Sequence, residues 1–132
     1  MEKHAYLSPE WAAEATRRLQ ADLTPDKMKH LTSSMMTLYT NCPDGAERAL
    51  YYRLVEGVVE EVSLREGDLP QAEFTIKGDY DTFAQISQAE LKARAARMSG
   101  KLTLKGNLVK ALRLAPVVDR LNEVLATIPT EY

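Results

Sequence analysis

The sequence has few of the residues from which most catalytic and metal centres are built. Its 132 residues include a single cysteine, Cys42, and two histidines, His4 and His30. One cysteine excludes an internal disulfide and any metal site that needs several thiolates. A nucleophile needs a nearby base, and no motif joins these three residues into such a pair. We therefore predict no catalytic residue, no metal site and no cofactor, and we assign the three side chains to packing or surface roles.

The chain also has little net charge of either sign. Its 17 Lys and Arg and 19 Asp and Glu leave a formal charge of −2 with histidine neutral. Binding to nucleic acid demands a basic surface, so no nucleic-acid partner is expected. Glu60 and Glu61 fall in a predicted strand, where neighbours face opposite sides. Asp79 and Asp81 fall in a predicted turn, where aspartate is favoured without any ligand, and Asp81 is the predicted N-cap of the helix that follows.

Long apolar runs and phosphate-binding motifs are absent as well. No run approaches the roughly 18 residues that a membrane helix needs. The first 20 residues have no apolar stretch of the kind found in secretory signals. Neither G-x-x-x-x-G-K-[ST] nor G-x-G-x-x-G occurs, so no phosphate-binding loop of these types is expected. These absences favour a small cytoplasmic binding domain over an enzyme.

The N-terminal part of the chain carries clear signals for the two ends of a helix. Ser8 can cap a helix and Pro9 fits its first position. Apolar residues recur after them at helical spacing, beginning with Trp11. The helix should end before Pro25, because the residue that precedes a proline avoids the helical region.

Strand signals dominate the middle of the sequence. Residues 72–77 and 101–105 alternate apolar and polar side chains, as half-buried strands do. The segment 50–64 is rich in β-prone residues and is interrupted at Gly57. That glycine marks either a tight turn between two short strands or a bulge in one long strand.

The order of the segments predicts a single α+β domain over residues 1–132, because regular strand–helix–strand alternation is missing. The predicted elements are an N-terminal helix within 1–25, strands over 28–77, short helices over 81–98, a strand over 101–105 and a C-terminal helix over 107–126, interrupted at Pro116.

One segment is similar to a known family. Residues 98–114 read MSGKLTLKGNLVKALRL. This segment resembles the sterol carrier protein type 2 family, whose members carry a short helix, a G-K-L-x-[IL]-x-G-[ND] strand and a helix with Ala and Leu. The likeness extends upstream to Ala72. It implies a five-stranded, mostly antiparallel sheet covered by helices and enclosing an apolar cavity for sterols, fatty acids, fatty acyl-CoA or phospholipids. It also implies a domain without catalytic residues or metal.

The matched elements supply apolar side chains that would line such a cavity. On the resemblance, the ligand-binding residues are Phe83, Ile86, Met98, Leu102, Leu104, Leu108, Leu112 and Leu114. Each of them is also compatible with plain core packing. Lys101, Lys105 or Arg113 could meet an anionic headgroup at the mouth, or could be ordinary solvated surface charges.

Two functional interpretations stay open, and a third is weaker. The first is non-enzymatic binding of a lipid or another apolar small molecule, with intracellular transfer, transient membrane contact and a homodimer as further options. The alternative is an accessory or dimerisation module of the same fold, with the cavity filled by bulky side chains. A small enzyme that uses Cys42 or a histidine is the third. At ~24 cal/mol per Å³, an empty void of about 300 Å³ would cost on the order of 7 kcal/mol, so a cavity should be filled or collapsed.

Overall fold

A five-stranded sheet forms the centre of the molecule. The computed structural model describes residues 3–43, 45, 47–67, 69, 71–88 and 90–131, with the side chains of residues 93 and 94 left out. The elements are β1 (His4–Ala5), α1 (Pro9–Asp22), β2 (Ser33–Thr40), β3 (Arg48–Val55), β4 (Val58–Arg65), β5 (Phe74–Asp79), α2 (Tyr80–Ser87), α3 (Ala93–Met98), β6 (Leu102–Gly106), α4 (Leu108–Arg113), α5 (Ala115–Leu125) and β7 (Thr130–Glu131).

The strands of the large sheet lie in the order β4-β3-β2-β5-β6. The pair β2–β5 is parallel, and the other three pairs are antiparallel. Because β2 and β5 are parallel, the chain between them must cross over, and the β3–β4 hairpin occupies that connection. The predicted α+β fold with a mostly antiparallel sheet is confirmed.

Helix α1 begins as its sequence indicates. The backbone N–H of Trp11 donates to Ser8 Oγ over 3.1 Å, and Pro9 occupies the first turn. The side chains of Trp11, Ala15 and Leu19 are fully buried, which places one apolar stripe of the helix against the sheet. The helix ends at Asp22, ahead of Pro25 as predicted.

Gly57 lies in a tight turn, which settles the two alternatives for the segment 50–64. Glu56 and Gly57 connect β3 to β4 with φ angles of 48° and 82°. Positive φ at both central residues is typical of the two-residue hairpin turn whose twist matches the strands it joins. The Gly57 N–H donates to the carbonyl of Leu31 over 2.8 Å, so the turn is also tied to the chain before β2.

A bulge in the same hairpin changes the expected orientation of two glutamates. The register between β3 and β4 shifts at Arg53/Leu54, opposite Glu60. Glu60 pairs with Arg53 over 3.5 Å, and Glu61 pairs with Arg65 over 2.7 Å. The prediction that Glu60 and Glu61 face opposite sides is therefore wrong, because the extra residue of a bulge breaks strand alternation and leaves both carboxylates on the outer face.

The inner face of the sheet carries the core. Leu50, Tyr52 and Leu54 alternate along β3, and each is at most 2% exposed. They belong to one cluster of buried side chains that includes residues of α1 and α5. The helices therefore cover this face of the sheet, while the opposite face carries exposed cations such as Lys77.

The predicted C-terminal helix over 107–126 is two helices. Asn107 caps α4 by accepting the Lys110 backbone N–H on Oδ1 over 3.0 Å. The chain bends at Leu114, and α5 starts with Pro116 in its first turn. Proline has no N–H to donate to the preceding turn, so it can begin a helix but cannot continue one.

The start of α2 differs from the expectation by two residues. The N-cap of α2 is Asp79 rather than Asp81, which lies inside the first turn. The Asp79 carboxylate accepts from Thr40 Oγ1 over 2.7 Å and from Asn41 Nδ2 over 3.1 Å, so it ties the ends of β2 and β5 together.

The two-residue strands β1 and β7 form a small parallel pair, which is too short to produce a periodic sequence pattern.

Glu14 on α1 supplies a prediction about pH. Hydrogen bonds from Arg17 and Arg18 to its carboxylate lower the pKa from 4.5 to about 2. A lowered pKa means that the carboxylate stabilises the fold above pH 4.5, and that this contribution is lost as the pH falls towards 2. An NMR titration should find the Glu14 midpoint near 2 in the native protein. In the variant Arg17→Ala/Arg18→Ala the midpoint should return to its ordinary value, and an unchanged midpoint would contradict the assignment.

Candidate functional site

Two voids lie between the inner face of the sheet and the helices. The first is a largely enclosed cavity of about 40 Å³ beneath α2 and α5. It is lined by Tyr6, Met35, Thr37, Tyr39, Tyr52, Ile76, Phe83, Ile86, Ser87, Leu102, Val118, Leu121, Asn122 and Leu125. We call it the inner cavity.

The second void is larger and opens to solvent. It has a volume of about 340 Å³ and lies between β5 and β6 on one side and the ends of α3, α4 and α5 on the other. We call it the cleft. It is lined by Phe74, Ile76, Arg97, Leu102, Leu104, Ala111, Ala115, Pro116, Val118 and Asp119. Pockets that hold small molecules usually measure about 300–1,000 Å³, so the cleft reaches that range and the inner cavity does not.

Three apolar side chains separate the inner cavity from the cleft. Ile76, Leu102 and Val118 line both voids. Leu102 is 6% exposed, and the other two are half-buried. In the part of the chain that the structure describes, the two voids are thus neighbours on either side of these residues rather than one continuous tunnel.

Aromatic side chains account for the small size of the inner cavity. The ring of Tyr39 lies 4.6 Å from that of Phe83 and 6.0 Å from that of Tyr6, measured between ring centroids. Tyr6 also contacts Trp11 edge-on at 5.0 Å. At ~24 cal/mol per Å³, a void of this size costs only about 1 kcal/mol. Close packing of these aromatic rings therefore leaves little unfilled volume in the inner cavity.

The polar groups of the inner cavity are neutral. Burial raises the pKa of both Tyr39 and Tyr52 well above the ordinary value of a phenol. Thr37 hydrogen-bonds Tyr52, which opposes part of that shift. Both phenols consequently stay protonated across the physiological range, and the lining side chains that the structure describes offer hydroxyl and amide groups but no charge.

Charge appears only where the cleft meets solvent. Arg97 is half-buried and Asp119 is exposed, and both line the cleft. Lys101, Lys105 and Arg113, the cations that the sequence suggested for the mouth, are exposed and line neither void. Among the described residues that line the cleft, Arg97 is therefore the cation and Asp119 the anion.

The eight apolar residues expected at the site fall into three groups. Phe83 and Ile86 line the inner cavity, Leu104 lines the cleft, and Leu102 lines both. Leu114, the residue that links α4 to α5, is fully buried in the core and borders neither void. The remaining three are exposed and border neither void: Met98 at 77%, Leu108 at 52% and Leu112 at 64%.

Several lining residues were not expected from the sequence. Thr37 and Tyr39 lie on the inner face of β2, and strand alternation from Met35 would have placed them together. Val118 and Leu121 lie one helical turn apart on α5. The helical spacing of apolar residues that indicates core packing therefore also includes residues that line the cavity. Arg97 is a basic residue next to an exposed methionine, and nothing in the sequence distinguishes it from a surface charge.

The residues considered for catalysis are separate from both voids. Cys42 is 4% exposed and its thiol lies 3.7 Å from the carbonyl of Tyr39. His30 is exposed and contacts Asp26 over 2.8 Å. Among the described residues, no group of His, Cys, Asp and Glu side chains could hold a metal ion. Within the same residues, no helix has both the length and the apolar character needed to cross a bilayer.

Solved structures share this architecture. A crystal structure of sterol carrier protein 2 superposes with a TM-score of 0.81 and 22% identity, over 93% of this chain and 98% of that chain. The solution structure of a conserved hypothetical protein from Thermus thermophilus gives 0.77 and 22%, over 99% and 94%. Palmitated sterol carrier protein 2-like 2 from Aedes aegypti gives 0.58 and 17%, over 84% and 94%. These likenesses establish the fold.

Comparison of the sequence itself extends that result. Among curated proteins none matches this chain. The model of one family, described as the SCP-2 sterol transfer family, matches residues 8–119. That match starts at the N-cap of α1 and continues into α5, so it includes every strand of the five-stranded sheet. The chain belongs to the SCP-2 sterol transfer family.

Proposed function

We propose that the protein binds one lipid molecule without chemically changing it and carries it within the cytoplasm. The observation that supports this most is the 340 Å³ cleft beside the inner cavity, with three apolar side chains between them. An apolar chain held in the cleft would contact Leu102, Leu104 and Ile76. Displacement of Ile76, Leu102 and Val118 would let it continue into the inner cavity.

Apolar burial supplies enough free energy for this role. A buried acyl chain gains about 0.8 kcal/mol per methylene, so ten methylenes contribute roughly 8 kcal/mol before ordering costs are subtracted. The site therefore needs no strong polar anchor. Its neutral interior disfavours a buried carboxylate, because an unpaired charge is costly to remove from water.

The charges of the site favour one orientation of the ligand. The apolar part lies inwards, among Phe83, Ile86 and Leu102, and the polar group lies at the mouth near Arg97. An amphiphile with one anionic or polar end fits this arrangement. The palmitate carried by the Aedes aegypti neighbour supports an acyl chain, and the sterol carrier neighbours support a sterol. Fatty acyl-CoA and phospholipids fit the same orientation, because their bulky headgroups would remain outside.

The alternative of an accessory or dimerisation module is not favoured. That module requires side chains that fill the space between the sheet and the helices. Aromatic rings close much of the inner cavity, but the cleft of about 340 Å³ stays open. Leu108, Val109 and Leu112 on α4 are exposed, so a homodimer formed through this helix would bury them.

Native mass spectrometry of the purified protein tests lipid binding. We expect a population heavier than the 132-residue chain by the mass of one lipid, which is released on denaturation. Protein stripped of lipid should take up one palmitate or one sterol when loaded from a carrier. Retention of the apo mass after exposure to fatty acids, sterols and phospholipids over a range of chain lengths would overturn the proposal.

A further inference from the structure

Two side chains of opposite charge line the cleft where it meets solvent. Arg97 lies in the last turn of α3 and is half-buried, and Asp119 lies on α5 and is exposed. The other described residues that line the cleft are apolar. The cleft therefore presents one cation and one anion beside an otherwise apolar wall.

Neither charge is neutralised by a neighbour in the part of the chain that the structure describes. No ion pair of that part includes Arg97 or Asp119. Lys110 and Glu73 adjoin lining residues of the cleft in the chain, and they pair with each other over 3.0 Å. Arg97 and Asp119 therefore share one void without forming an ion pair with each other or with the charged residues nearby in the chain.

A ligand headgroup that carries a single charge is both attracted and repelled by this arrangement. The carboxylate of a fatty acid that pairs with Arg97 lies in the same void as the carboxylate of Asp119, and like charges repel. A cationic headgroup that pairs with Asp119 is repelled by Arg97 in the same way. A zwitterionic headgroup carries an anionic group and an ammonium a few bonds apart, so it can satisfy both side chains at once.

The size of the site favours a ligand with one acyl chain. The cleft has a volume of about 340 Å³, and the inner cavity beyond it adds about 40 Å³. Pockets for small molecules measure about 300–1,000 Å³, so this site lies at the lower end of that range. A single chain among Leu102, Leu104 and Ile76 would leave its headgroup beside the two charges.

We propose that the mouth of the cleft selects single-chain lipids with a zwitterionic headgroup. Arg97 faces the anionic group, because its planar guanidinium offers paired N–H donors to a phosphate or a carboxylate. Asp119 faces the ammonium. Lysophosphatidylethanolamine and acylcarnitine share this chemistry, with phosphate as the anion in the first and carboxylate in the second. The inference rests on the proposed lipid binding and names the class of headgroup that the same site takes.

A series of lipids with one constant hexadecyl or palmitoyl chain tests the selection. Palmitoyl-lysophosphatidylethanolamine and palmitoylcarnitine are the zwitterions, palmitoyl-lysophosphatidylglycerol and palmitate are the anions, and hexadecyltrimethylammonium is the cation. Calorimetric titration of the wild-type protein, below the concentration at which each lipid forms micelles, gives the dissociation constants. We expect at least one zwitterion to bind about tenfold more tightly than every singly charged lipid. The tighter zwitterion identifies the anionic group, and its advantage should shrink at high salt.

Two substitutions of similar shape should change these preferences in opposite directions. Asp119→Asn should weaken binding of the preferred zwitterion by roughly fivefold and strengthen binding of palmitate by about threefold, because it removes both the partner of the ammonium and the repulsion of the carboxylate. Arg97→Gln should weaken binding of the zwitterion and of palmitate, and strengthen binding of hexadecyltrimethylammonium. A purely structural role for either residue would lower the affinity for every lipid by a similar factor.

Matched controls make the same changes in charge outside the cleft. Glu123→Gln lies on α5, and Arg113→Gln lies on α4; both residues are exposed and line neither void. These variants should bind each lipid within about twofold of the wild type, because solvent and salt screen exposed charges. Controls that change the preferences as much as Arg97→Gln and Asp119→Asn would overturn the assignment.

The wild-type titrations distinguish this inference from the proposed function. Binding of palmitate with no preference for either zwitterion would overturn the headgroup selection and leave the proposed lipid binding in place. Failure of the wild type to bind any lipid of the series would overturn both.

Discussion

Replacing Val118 by tryptophan is expected to lower the affinity for lipid by about a hundredfold while the protein stays folded. Val118 is half-buried on α5 and lines both voids. The indole would extend into the cleft and occupy the space that about four methylenes of a ligand would fill. At about 0.8 kcal/mol for each methylene, their exclusion corresponds to roughly 3 kcal/mol. Because the cleft is open, the larger side chain fits without the overpacking that a closed core would suffer.

A matched tryptophan at an exposed position controls for the general effect of an added aromatic ring. Val58 is 47% exposed at the start of β4 and lies outside both voids. Val58→Trp should bind lipid as the wild type does. Affinities are measured by displacing a fluorescent fatty acid, and folding is checked by urea unfolding of each variant. Equal affinity of Val118→Trp and the wild type would exclude the passage between the voids as part of the lipid site.

Replacing Gly106 by alanine is expected to destabilise the fold by about 3 kcal/mol. Gly106 ends β6 with a φ of 104°, a region that residues with a side chain rarely adopt. A Cβ atom there would lie 2.5 Å from the carbonyl oxygen of Glu73 and 2.9 Å from Phe74 Cα. Both neighbours are backbone atoms at the point where the paired strand β5 begins, so neither can move aside without opening the sheet.

Gly100→Ala is the natural comparison for this substitution. Gly100 also has a positive φ, 82°, but a Cβ added there would have no atom within 4 Å. Gly100→Ala should therefore lower the free energy of unfolding only by the cost of placing a side chain at a positive φ angle, about 1 kcal/mol. Urea unfolding of the two variants measures the difference directly. Equal destabilisation by the two alanine variants would show that the close approach of Gly106 to the start of β5 does not contribute to the difference in the free energy of unfolding.

Features encoded by a few adjacent residues could be predicted from the sequence. The start of α1 depends on Ser8 and Pro9, and the passage from β6 to α4 depends on Gly106 and Asn107. In each case the side chain or the φ angle of one residue decides the local geometry, so no distant contact is needed. The family likeness of residues 98–114 rests on the same kind of local signal, which is why the sequence led to the right fold.

Features that depend on distant pairing could not be predicted. The parallel pair β2–β5 joins residues about 40 positions apart in the chain, such as Met35 and Phe74. The bulge at Glu60 adds one residue to β4 that the alternating pattern does not reveal. The inner cavity likewise depends on contacts between Tyr6, Tyr39 and Phe83, which lie far apart in the sequence.

The exposure of the residues on α4 shows a further limit of sequence patterns. Leu108 and Leu112 have the spacing of an apolar helix face, and the pattern suggests that this face is covered. A pattern does not specify what covers a face, and here both side chains are exposed while Ala111 and Leu114 are turned inwards. Of the residues expected at the site, those on β6 and α2 line the two voids, whereas Leu108 and Leu112 on α4 line neither.

The most direct test of the lipid site is an NMR titration that follows methyl groups as palmitate is added. The methyl signals of Ile76, Leu102 and Val118 should shift together and saturate at one equivalent. Leu19 and Val59 are buried residues that border neither void, and their methyl signals should hardly move. Shifts confined to surface methyl groups, with those of Ile76, Leu102 and Val118 unchanged at saturation, would contradict a lipid site between the sheet and α5.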